Sequence, residues 1–156
     1  MMKITTILAA LIAVVAASPL TAAEDHQQHQ APAHLQLSLD HGRKWSTDEP
    51  LRAGMEKIRS SMARDLEQIH KGQLTADQYR ALGTSIQQQV TTIINQCKLD
   101  PQADAMLHIV ISDLLSGADA MQGKGEMPPI SGAHKVVEAL NAYGDYFNHP
   151  GWRSLP

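Results

Sequence analysis

The chain has a single cysteine in 156 residues, which excludes an internal disulfide framework. It also lacks any excess of positive charge. Lys and Arg number 13 against 16 Asp and Glu, a net charge of −3, so there is no electrostatic footprint for nucleic acid or anionic lipid. Beyond residue 23 no apolar run approaches the length of a membrane span. A Gly-rich phosphate loop, a Ser-His-Asp order, zinc-finger spacing and the Cys-x-x-Cys-His of covalent haem are all missing. No paired carboxylates or activated nucleophile mark a catalytic pocket, and Asp104 and Asp113 read as members of a solvated helix face. These absences point away from an enzyme.

What is present begins with Met1-Met2-Lys3, an apolar run from Ile4 to Ala17, and Ser18-Pro19-Leu20-Thr21-Ala22-Ala23. A basic start, an apolar middle and a small-residue end make a secretory signal peptide over residues 1–23, cut after Ala23, with export to the periplasm as the expected location. The alternative is an uncleaved signal anchor. Cleavage removes one lysine and no acid, leaving 12 basic and 16 acidic residues and a net charge of −4. The remaining chain of about 130 residues is one domain with room for a real core. In an oxidising compartment its lone cysteine is buried, bound to something, or paired between chains.

Residues 24–44 contain His26, His29, His34 and His41 among Gln and Pro, with only Leu35, Leu37 and Leu39 alternating. They read as a His-rich mobile tail whose end docks as a short extended piece. Residues 45–156 read as four helices. Ser46-Thr47-Asp48-Glu49 has the form of a capping box, followed by a stripe of Leu51, Met55, Ile58, Met62, Leu66 and Ile69. Thr75-Ala76-Asp77-Gln78 repeats the device ahead of Tyr79, Leu82, Ile86, Val90, Ile93, Ile94 and Cys97. Asp100 and Pro101 open a third helix as cap and first residue, burying Leu107, Val110, Ile111, Leu114, Leu115, Ala118 and Met121. After a Gly- and Pro-rich connection, Ser131 caps a fourth with Val136, Val137, Leu140, Tyr143 and Phe147 inward. The spacing predicts helices at 47–71, 75–98, 101–122 and 131–148. Short turns between them imply an all-α, antiparallel up-down-up-down four-helix bundle.

Reflecting residue numbers through the turns, at about 1.5 Å per residue, gathers Met55, Cys97, Met106, His108 and His149 at one end. It gathers His70, Met121, Met127 and His134 at the other. Each residue alone has a plainer reading: methionines fill cores, a lone thiol is a small hydrophobe, and a histidine at a helix boundary satisfies itself. The conjunction of thiol, thioethers and imidazoles is what points to metal. Sulfur selects Cu(I), and imidazole takes either copper state or zinc. The cut after Ala23 would also expose Glu24-Asp25-His26. There the free amine, two amides and an imidazole can surround Cu(II) or Ni(II) in one plane.

Two stretches carry a resemblance. Lys44-Trp45-x-Thr47-Asp48-x-x-Leu51-Arg52-x-Gly54-Met55, followed by Cys97-Lys98-Leu99-x-Pro101-x-Ala103-Asp104-x-x-Leu107-His108, resembles small periplasmic helical proteins of Gram-negative bacteria. This implies compartment and helical character. The architecture is also similar to cytochrome b562, whose haem is held by a Met early in helix one and a His late in helix four; Met55 and His149 occupy those places. The expected function is thus a non-enzymatic periplasmic copper-binding protein of storage, delivery or tolerance, with the metal ion as its partner and an unidentified protein partner left open. A haem b electron carrier and a ligand-free interaction or stress-response bundle are the alternatives.

Overall fold

The computed structural model describes residues 36–156. Within them lie four helices, α1 (Glu49–His70), α2 (Ala76–Gln96), α3 (Pro101–Met121) and α4 (Pro129–Tyr146), packed against one another. No strand is formed among the described residues; there are only two isolated bridges, Asp40 with Arg43 and Trp45 with Phe147. The expected signal peptide and the expected ligands Glu24, Asp25 and His26 lie outside the described residues.

The apolar stripes bury as their spacing dictates: Leu51, Met55, Ile58, Met62 and Ile69 of α1 meet Ile86, Val90, Ile93, Leu107, Leu114, Val136, Leu140 and Tyr143 in one core. Each such side chain contributes roughly 1.5–3 kcal/mol. Ile94 departs from the expected stripe and is 52% exposed. One step beyond Ile93 on a helix is a rotation of about 100°, enough to carry it from core to solvent.

Three helix starts also differ from expectation. Ser46 does not cap α1. Pro50 in its first turn lets Asp48 take the cap, its Oδ1 accepting from Leu51 N at 3.0 Å. Asp100 precedes α3 without a side-chain cap bond, the missing amide of Pro101 leaving fewer donors to satisfy. The fourth helix begins at Pro129 rather than Ser131, since proline is suited to a first turn. At α2 the expected device is present, with Thr75 and Gln78 each satisfying the other's backbone amide.

Two latches hold the ends together. Trp45 N donates to Tyr146 O and Asn148 N to Trp45 O, both at 2.8 Å, while Thr47 Oγ1 donates to Asn148 O. They tie the entry to α1 to the exit from α4. Asp48 then uses its second oxygen to accept from Lys98 N at 2.6 Å, fixing the α2–α3 turn to the α1 cap. Residues 40–43 make a tight two-residue turn with both Asp40–Arg43 backbone bonds at 2.8 Å, and His41 and Gly42 both at positive φ. Beside it Leu37 packs on the core, and Trp45 Nε1 donates to Ser38 O.

Candidate metal centre

Cys97 is the C-cap of α2, extended and half-buried, with a free thiol. Its surroundings decide its chemistry. Burial first, and then the carboxylates of Asp48 and Asp104, push the thiol above its ordinary range. It is therefore protonated at neutral pH. A cation arriving there would meet the same carboxylates as attraction and would displace the thiol proton.

Asp104 and His108 lie one turn apart on an exposed face of α3. His108 Nδ1 is 2.8 Å from Asp104 O and 3.3 Å from its Oδ2. Asp104 thus acts on both Cys97 and His108 and links them along one edge of the molecule.

The other sequence-predicted ligands go elsewhere. Met55 has no exposed surface and belongs to the core. Met106 lies two residues from both Asp104 and His108, a rotation of about 200°. It is buried toward Ser38, whose Oγ approaches its sulfur at 3.7 Å, and helps line an open groove of about 520 Å³ with Trp45, Leu39, His41 and Gln102.

His149 joins a third group. Its Nδ1 lies 3.1 Å from the Tyr143 hydroxyl, and its ring meets those of Tyr143 edge-on at 5.8 Å and Trp152 at 5.0 Å. Burial pushes the Tyr143 hydroxyl well above its usual range, so it stays protonated. Burial also lowers the His149 imidazole, partly opposed by Glu56. It is neutral near pH 7, with Nδ1 committed to the tyrosine. The charged groups that act on it, Glu49, Arg52, Glu56 and Arg59, all belong to α1.

The structure therefore sets His108 against Asp104, whose charge also acts on Cys97, while Met55 lies in the core, Met106 beside Ser38 and His149 beside Tyr143. Among the described residues no group of three or more His, Cys, Asp or Glu is arranged to hold a metal ion. One feature escaped the reading of the sequence. Asp104, taken for a solvated-face residue, contacts His108 and acts by its charge on Cys97; its signal was the four-residue spacing to His108. At the far end His70 and His134, gathered there by reflection through the turns, have ring centroids 6.1 Å apart. No helix among the described residues is long and apolar enough to cross a membrane. Compared with protein-family models, with curated proteins and with solved structures, the chain matches none.

Proposed function

We propose that this protein is a non-enzymatic, periplasmic copper-binding protein, acting in storage, delivery or tolerance, with its helices in an antiparallel up-down-up-down order. The helical order draws support from registers. Gly54 faces Ile93, Gly83 faces Ala118, and Gly117 faces Gly132, so residue numbers fall on one helix as they rise on the next. The copper reading rests on the half-buried Cys97 thiol, sharing Asp104 with the exposed His108 imidazole. Thiolate with imidazole is a donor pair suited to Cu(I), which accepts few ligands and prefers soft ones. The mature N-terminus, Glu24-Asp25-His26, is proposed as a separate Cu(II) site.

The packing weighs against haem b. Met55 is enclosed on all sides, so its sulfur has no exposed face to present to a macrocycle. Competition for Cu(I) against a chromophoric chelator tests the copper reading. Wild type should compete, and Cys97→Ser and His108→Ala should each compete less, whereas His149→Ala should match wild type. Equal competition by wild type, Cys97→Ser and His108→Ala would remove the site.

A further inference from the structure

We infer that His70 and His134 form a second cation site, a two-histidine clamp for a divalent transition metal joining the end of α1 to the start of α4. It shares no residue with the Cys97 edge and stands whether or not that edge binds copper.

The geometry begins with the backbone. His70 is the last residue of α1, next to the fully buried Ile69, and His134 follows the fully buried Ala133 on α4. The core therefore fixes where both residues emerge, while both side chains stay in solvent. Close beside them the Ile130 Cδ1 lies 3.7 Å from the position a Cβ would take at Gly72. The α1 end thus sits against the first turn of α4.

The rings are 6.1 Å apart between centroids and inclined at 56°. With metal–nitrogen bonds of about 2.0–2.1 Å, two imidazoles on one ion hold their centroids roughly 4.5–6.3 Å apart, depending on the angle at the metal. The observed separation is about 1 Å longer than the roughly 5.2 Å of a tetrahedral pair, a gap that rotation of the two exposed rings closes.

The local charges permit a cation. Lys71 is paired with Glu67, and Lys135 with Asp113 at 2.7 Å, so each neighbouring lysine is matched by a carboxylate. His70 also ends α1, where the free carbonyls carry the negative end of the helix dipole. Two imidazoles select a borderline divalent ion such as Zn(II), Cu(II) or Ni(II), and water fills the remaining positions. The ligands come from helices 64 positions apart in the chain, so an unfolded chain would not hold them together. Binding should therefore stabilise the fold.

The test is thermal unfolding of the full chain with zinc chloride, paired with NMR of the histidine Hε1 resonances. At metal about a hundred times the dissociation constant the midpoint should rise by about 5–10 °C. His70→Ala and His134→Ala should each abolish the rise, and Gln68→Ala, exposed near the same end of α1, should keep it. In wild type the His70 and His134 resonances should shift together at one equivalent while that of the exposed His41 stays. No rise in wild type, a rise that survives either substitution, or His70 and His134 resonances that do not move would overturn the clamp.

Discussion

Gly117 on α3 faces Gly132 on α4 so closely that an added methyl has nowhere to go. A Cβ built at Gly117 would lie 2.6 Å from the Gly132 carbonyl oxygen and 2.7 Å from Val136 Cγ2. A methyl carbon and an oxygen settle at about 3.4 Å or more, so Gly117→Ala must part the two helices by about 0.8 Å. One obstacle is backbone, which cannot rotate away. Overpacking costs about 1–3 kcal/mol, here about 2–3 because the facing backbone oxygen cannot yield, and the gain in helix propensity returns about 1 kcal/mol. The net loss should be about 1–2 kcal/mol, or about 4–10 °C in the midpoint. A methyl at Gly132 would meet the Gly117 oxygen at 2.5 Å and the Ala120 Cβ at 2.7 Å. The same separation relieves both, so the double variant should lose clearly less than the sum of the singles. Urea unfolding of both singles, the double and the exposed control Ser116→Ala measures this, with the control expected within about 0.5 kcal/mol of wild type. A Gly117→Ala protein at least as stable as wild type would show that the α3–α4 approach is not as close as described.

Three further outcomes are expected. Asp48→Ala should cost about 2–3 kcal/mol in urea unfolding, because one carboxylate caps α1 and also accepts from Lys98 N; a loss below about 0.5 kcal/mol would refute both roles. Thr75→Ala should cost about 1 kcal/mol and Asp100→Ala nearly nothing, since only Thr75 makes its cap bond; equal costs would overturn the distinction. The His149 imidazole is lowered in the fold by burial, so the unfolded chain binds more protons through that range. Its contribution to stability is full above the unfolded value near pH 6.5 and declines as pH falls. The difference in stability between wild type and His149→Gln should therefore shrink from pH 8 to pH 5, and a constant difference would contradict the shift.

Much of the fold was legible because it depends on local order. The three- and four-residue spacing from Leu51 to Ile69 and from Val136 to Tyr143 specifies which face of each helix is buried. The Thr75–Gln78 box is built within four residues and needs no partner from afar. Lateral position was beyond such reading. Reflection through the turns gives height along a helix but not direction around it, and it placed Met106 with His108 although the two point to different sides of α3. Only packing committed His149 to Tyr143 and Trp152 and gave Asp48 two amides 47 residues apart to hold. Helix formation is governed by neighbours in the chain. A site is governed by the angle at which packed helices turn their polar faces, and that angle is decided only when the whole core closes.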